Sequence, residues 1–203
     1  MRKRKWVAPF LAKNHDCLIE NSDQIKGLGK TLSLEVGCGL GDFIIELVGK
    51  NPDRIYLAIE RDETCIAKCV RKCEELALAN LYFMHGNLDD LYEKIEDLRF
   101  ETIYLLFSDP WPKKGYHKRR LTTHKYLLMY EHILSPEGSI YIKTDNQDLF
   151  EYSKEEFAKT DFILEAISTD FHDEIKDEMP LTGYEKKFMD QGMKIYYLLY
   201  RKR

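Results

Sequence analysis

The sequence has no apolar stretch long enough to cross a bilayer: runs such as Ile195 to Tyr200 fall far short of the ~20 residues that a spanning helix needs. A secretory leader is not expected either. Met1-Arg2-Lys3-Arg4-Lys5-Trp6 has the charge of a leader's first region, but no apolar core follows it. A cytoplasmic protein is expected. Cysteine is scarce, five residues in all, and the odd number without a secretory signal argues for reduced thiols rather than a disulfide framework. Cys65, Cys69 and Cys73 fall at i, i+4 and i+8, which stacks them on one helix face. They lack the close pairing of structural zinc sites and alternate with Lys68, Arg71 and Lys72, so core packing is expected. His117 and His172 have no carboxylate or cysteine at ligand spacing, and no metal site is expected. Nor is there an excess of positive charge: 31 Lys and Arg stand against 35 Asp and Glu, a formal net charge of −4. No uniformly basic surface draws the protein onto nucleic acid.

What is present is an ordinary globular composition, 44% hydrophobic and 33% charged, in a 203-residue chain that one core can organise. Charge is unevenly spread. Positive residues concentrate in Arg2 to Lys5, Lys113 to Arg120 and Arg201 to Arg203, and acidic ones in Asp89 to Glu101 and Asp170 to Glu178. A local RNA-binding face is compatible with this pattern. Hydrophobic runs alternate with amphipathic stretches, the mark of repeated strand-helix units. Strands are predicted at Thr31–Val36, Ile55–Glu60, Leu81–His85, Thr102–Ser108, Ser139–Thr144, Ile163–Ser168 and Ile195–Tyr200. Helices are predicted at Asp42–Gly49, Glu63–Leu78, Leu121–Leu134 and Gln147–Ala158. The expected fold is a doubly wound, Rossmann-like α/β sheet of seven strands with helices on both faces, occupying residues 31–203 as one domain behind a basic extension at 1–30. Ligands of such sheets bind beyond the carboxyl ends of the strands.

The first strand runs into Glu35-Val36-Gly37-Cys38-Gly39-Leu40-Gly41-Asp42, a glycine turn that lets backbone approach a ligand at a helix start. Dinucleotide sites prefer G-x-G-x-x-G; here the third glycine comes one residue early and carboxylates flank the loop. Those acids would repel a pyrophosphate but attract the ammonium and sulfonium of S-adenosylmethionine. Glu60, ending the second strand, can accept from ribose hydroxyls. Asn87, after the third, either meets an adenine edge or caps a helix.

The most specific segment follows the fourth strand: Phe107-Ser108-Asp109-Pro110-Trp111-Pro112-Lys113-Lys114-Gly115-Tyr116-His117-Lys118-Arg119-Arg120-Leu121. Together with Glu35-x-Gly37-x-Gly39-x-Gly41, Glu60, Thr144-Asp145-Asn146 and Thr182-x-Tyr184-Glu185, it resembles the bacterial tRNA (guanine-N7-)-methyltransferase family over most of the chain. The resemblance implies S-adenosylmethionine contacts at Glu35, Gly37, Gly39, Gly41, Glu60, Asn87 and Asp109. It implies substrate contacts at Lys113, Asp145, Thr182, Tyr184 and Glu185, and makes Asp109 the catalytic residue. Its implied activity is methylation of N7 of a variable-loop guanosine in tRNA. Lys114, His117, Lys118, Arg119 and Arg120 stand where tRNA phosphates would be gripped, although a charge run is more often a solvated loop. Gly115-Tyr116 replace residues that are more often basic or histidine in the family, which lowers the charge available for RNA. No obligatory protein partner or membrane is implied, and the chain is expected as a monomer or homodimer.

Local chemistry leaves alternatives at several positions. Thr182-x-x-Glu185 is a capping-box pattern, Asp145 can cap a helix ahead of Gln147, and Tyr184 either stacks on a base or joins the core. Asp145 or Glu185 can accept from guanine N1 and N2. Guanine N7 already presents a lone pair, so transfer needs alignment and charge stabilisation rather than a base. Rival readings are an amino-methyltransferase, whose motif has a second proline where Trp111 stands, an NAD-dependent oxidoreductase, and a non-catalytic RNA-binding subunit.

Overall fold

The computed structural model describes residues 4–13, 15–28, 31–175 and 179–203. Parts of the basic N-terminal cluster (Arg2 and Lys3) and of the acidic run (Asp177 and Glu178) lie outside them. The chain divides into two compact units, Met1–Leu98 and Arg99–Arg203.

In the first unit the order is α1 (Val7–Leu11), β1 (Leu32–Val36), α2 (Asp42–Lys50), β2 (Ile55–Glu60), α3 (Glu63–Glu75), β3 (Leu81–His85) and the short α4 (Leu88–Leu91), with 3₁₀ turns at Ser22–Gln24 and Tyr92–Lys94. The strands run parallel in the order β3-β2-β1. All of β2 is buried, as suits a parallel strand covered on both faces. Asp62 starts α3 by accepting from the amides of Thr64 (2.8 Å) and Cys65 (3.0 Å). The helix stops at Glu75, short of the expected Leu78, where Ala77 adopts a left-handed φ of 50° that a helix does not continue through. Cys69 and Cys73 are buried on its inner face and Cys65 is half-buried. Packing accounts for this row, and no candidate metal cluster occurs among the described residues.

Ahead of β1, the chain is tied to α3 and β3. The Arg71 guanidinium lies 4.2 Å from the centre of the Trp6 ring and 5.4 Å from that of Phe10. His15 bonds Glu74 through Nδ1 (2.6 Å) and the Phe10 carbonyl through Nε2 (2.8 Å). Burial opposes the charge on His15, but these bonds and the Glu74 charge outweigh it and raise its pKa. At the β3 edge, the Phe83 amide donates to the Cys17 carbonyl (2.7 Å) and the Ile19 amide donates to the Phe83 carbonyl (2.9 Å).

The second unit contains β4 (Phe100–Leu106), a 3₁₀ segment (Lys114–Arg119), α5 (His124–Ile133), β5 (Leu134–Thr144), α6 (Gln147–Phe157), β6 (Ile163–Ser168), the short α7 (Phe171–Glu174), α8 (Gly183–Asp190) and β7 (Tyr196–Arg201). Its strand order is β4-β5-β7-β6: β4 and β5 are parallel, while β7 is antiparallel to both neighbours. The expected seven strands are thus present as a mixed sheet. Strand β5 begins at Leu134 rather than Ser139 because a bulge between Phe100 and Thr102 admits Ser135-Pro136-Glu137-Gly138 before regular pairing resumes. Helix α5 starts at His124 rather than Leu121; the Glu156 carboxylate of α6 accepts the His124 amide at 2.8 Å and sets the boundary from outside the helix. No helix of the described residues is long and apolar enough to cross a membrane.

Candidate active site

The glycine loop between β1 and α2 uses its three glycines in two ways. All three have left-handed φ: 83° at Gly37, 56° at Gly39 and 72° at Gly41. A Cβ on Gly41 would come within 2.9 Å of Cys69 Sγ, so this glycine lets α2 pack on α3. A Cβ on Gly37 or Gly39 would meet nothing within 4 Å. Their open faces leave room for a ligand against bare backbone.

Two glutamates border the loop. Glu60 is 8% exposed and braces it, with Oε2 accepting the Gly39 amide (2.8 Å) and Oε1 the Asp62 amide (2.8 Å). Each oxygen keeps a lone pair for a further donor. Glu35 is 3% exposed, and its Oε2 is buried with no hydrogen-bond partner. Burial, then the charges of Glu60 and Asp42, push its pKa up to about 8. A lone oxygen in a doubly acidic, buried setting is unfavourable unless a cation arrives. The ammonium of S-adenosylmethionine fits that requirement and a pyrophosphate does not. Asn87 is exposed at the start of α4, where its side chain makes no cap and instead donates Nδ2 to Asp90 (3.2 Å). Of the two readings open for Asn87, capping is the one the geometry does not use.

In the second unit, the segment after β4 is fixed by strain and by one buried cation. Phe107 and Trp111 have φ of 50° and 43°, conformations that cost of order 1–3 kcal/mol in a residue with a large side chain. Between them Asp109 is exposed. Arg120 does not meet the expectation of a phosphate contact. It is fully buried, donates Nε to the Pro110 carbonyl (2.8 Å) and Nη2 to Asp148 (2.5 Å), and lies 4.5 Å from the centre of the Tyr152 ring. A guanidinium so enclosed acts as a brace for the loop. Lys113, Lys114, Lys118 and Arg119 are exposed and His117 half-buried. Arg119 rests 4.9 Å above Trp111 and 5.0 Å above Tyr116, which pre-orders its charge. Tyr116 supplies part of this platform.

Asp145 and Asn146 follow β5, and Asn146 is the residue that caps α6, its Oδ1 accepting from Leu149 (2.8 Å). The alternative of Asp145 as the cap is thereby corrected, and its half-buried carboxylate is left uncommitted. Thr182 and Glu185 form the complete capping box of α8. Glu185 is 0% exposed and pairs with Lys143 Nζ at 2.9 Å, so direct contact between its carboxylate and a base is not what this geometry offers. His172 Nε2 lies 3.2 Å from Glu185 Oε1 without hydrogen-bond geometry, a carboxylate neighbour that sequence spacing did not indicate. Tyr184 is 62% exposed and stacked beside Phe107 and Phe188, at centroid distances of 6.4 and 6.2 Å, and is not a core residue. Lys143, Arg120 as a brace and His172 escaped sequence reasoning, which had only a charge run and isolated residues to work from.

A family model described as "Putative methyltransferase" matches residues 29–198. A tRNA (guanine-N(7)-)-methyltransferase of Staphylococcus aureus strain JH9 is 37% identical over 97% of this chain and 94% of its own length, as is that of strain Newman. Among solved structures, the 16S rRNA methyltransferase KamB superposes with a TM-score of 0.65 at 15% identity, covering 89% of this chain and 91% of that one. An rRNA methylase from Streptococcus thermophilus gives 0.58 at 13%, covering 100% and 98%. These structural likenesses establish the Rossmann-like methyltransferase fold. With sequence identity sustained over nearly its whole length, the chain belongs to the tRNA (guanine-N7-)-methyltransferase family.

Proposed function

We propose that the protein methylates N7 of a variable-loop guanosine in tRNA with S-adenosylmethionine, in the cytoplasm, through a catalytic domain at 31–203 and a basic arm at 1–30. The observation that carries this reading is the buried, unpartnered oxygen of Glu35 beside the open faces of Gly37 and Gly39, a setting made for a cationic cofactor rather than a dinucleotide. S-adenosylmethionine, when bound, would supply an electrophilic methyl group for the guanine N7 lone pair. Glu35 holds the cofactor's ammonium and Glu60 its ribose while keeping Gly39 in place. Asn87 meets the adenine. Asp109 stabilises the positive charge that develops on guanine, and its exposure at the strand end suits contact with cofactor and base. Asp145 accepts from the guanine edge, Tyr184 offers an exposed ring for stacking, and Lys113 and Thr182 complete the substrate side. Lys114, His117, Lys118 and Arg119 hold phosphates and fix register without reading sequence.

Unmodified tRNA incubated with methyl-labelled S-adenosylmethionine is expected to yield 7-methylguanosine in the variable loop on nucleoside analysis. Label in any other nucleoside, or none, overturns the reading. An amino-methylated adenine or cytosine would instead favour the rival carrying the second proline.

A further inference from the structure

We infer that Lys143 is a positioning residue for the substrate side of the site: it anchors α8 through Glu185 and thereby sets where Thr182 and Tyr184 stand. The inference rests on the methyltransferase reading for its consequence, though not for its geometry. Helix α8 has eight residues, and an isolated helix of that length is marginal in water. Helices normally secure themselves by burying an apolar face, yet the one fully buried residue of α8 is Glu185. Tyr184 and Met189 are exposed, and Phe188 reaches only the margin of the small cluster around Phe171, Ile195 and Tyr197. Apart from the contact of the Phe188 ring with Phe107, 5.8 Å between centroids, the buried hold on α8 is therefore polar.

The partners of that carboxylate are specific. Glu185 Oε1 takes Lys143 Nζ at 2.9 Å and lies 3.2 Å from His172 Nε2, while Oε2 accepts the Thr182 amide at 3.3 Å to close the capping box. Lys143 is 2% exposed, and its ammonium also sits 3.7 Å from the centre of the Phe171 ring. Its backbone is equally committed: the Lys143 carbonyl accepts the Phe107 amide at 2.8 Å, and Phe107 carries the ring beside which Tyr184 stacks. One residue thus fixes both the strained turn that leads to Asp109 and the helix that displays Tyr184. Two residues farther along β5 and its exit stands Asp145. Removing the ammonium would leave a buried carboxylate with only an imidazole and the Thr182 amide beside it, which a fold relieves by letting the short helix swing away.

Lys143→Met keeps the length of the side chain and removes the charge; Lys143→Met with Glu185→Gln removes both charges together. In Lys143→Met, hydrogen exchange of the Gly183–Asp190 amides should accelerate by tenfold or more with the strands unaffected, and the double variant should recover most of the protection. In methyl transfer, the single variant should raise KM for tRNA at least tenfold against a kcat change within about threefold, with S-adenosylmethionine affinity unchanged, and the double variant should bring KM back towards wild type. Should Lys143→Met fail to fold, His172→Gln, at a half-buried position, tests the same carboxylate and should show the same pattern more weakly. Unchanged exchange in α8, loss of protection throughout the sheet, or a double variant worse than the single one overturns the inference. If wild type transfers no methyl to tRNA, the functional reading fails while the exchange experiment still decides the anchor.

Discussion

Arg120 lies against the ring of Tyr152, 4.5 Å from its centre, and from there bonds the Pro110 carbonyl of the loop that presents Asp109. A residue in the middle of a basic run is thus an internal strut. Arg120→Ala should lower the melting temperature by several degrees and reduce methylation, because burial of a cation with two bonds is lost. The salt dependence of tRNA binding should stay as in wild type. A flattened salt slope with unchanged stability would return Arg120 to the phosphate-binding group.

The exposed cations should behave in the opposite way. Replacing Lys113, Lys114 and Lys118 by alanine should weaken tRNA binding and reduce the slope of log K against log salt by roughly 0.7 to 0.9 for each phosphate no longer held, with melting unaffected. Titration of binding at several salt concentrations reads this directly, and an unaltered slope makes the run a solvated loop.

Glu35 makes stability depend on pH in a definite direction. Its folded pKa, about 8, lies above the ordinary carboxylate value, so the unfolded chain releases this proton first. Its favourable contribution is complete below about pH 4.5 and is lost as pH rises towards 8, a difference on the order of a few kcal/mol. Glu35→Gln should therefore raise the melting temperature of the ligand-free protein at pH 8 to 9 and change it little at pH 5. At pH 7, binding of S-adenosylmethionine to wild type should expel a proton as the ammonium ionises Glu35. Calorimetry in buffers of different ionisation enthalpy will show a buffer-dependent heat, and no dependence removes Glu35 from the cofactor.

Gly39 and Gly41 separate cofactor space from packing space. Gly41→Ala meets Cys69 Sγ and a left-handed φ, and should destabilise the fold by more than 1 kcal/mol. Gly39→Ala meets no protein atom; it should cost only about 1 kcal/mol in backbone strain while its methyl blocks the cofactor. Equal loss of S-adenosylmethionine affinity in both variants, in step with stability, would contradict the division.

Asp109→Asn retains size and removes charge. Its single-turnover methylation rate should fall by a factor on the order of a hundred, with tRNA affinity nearly unchanged, if the carboxylate stabilises the cationic product. A variant that transfers methyl at nearly the wild-type rate would remove Asp109 from this role.

Much of this fold is written locally. Strands β2, β3 and β6 begin and end where expected, β2 because a strand buried on both faces needs an uninterrupted apolar run, and the glycine loop declares itself by spacing. Elements governed by distant partners are less visible. The start of α5 depends on Glu156, the bulge of β5 on Phe100, and α8 shows only its capping box because polar contacts replace the apolar periodicity that marks a helix. Lys143 reads as an interruption in β5, since its partner lies far along the chain. Asp145 and Tyr184 were open in sequence for a related reason: exposure and capping are decided by neighbours that spacing does not reveal.

The pairing of Cys17 and Ile19 with Phe83 has a consequence for behaviour in concentrated solution. Strand β3 ends its run, and an uncovered outer strand is a template on which another chain can add. By occupying the amide and carbonyl of Phe83 in the middle of that edge, the segment before β1 closes the template to other molecules. A protein lacking residues 1–20 would keep its cofactor loop and lose this guard, and self-association through β3 would limit its solubility before any loss of chemistry did.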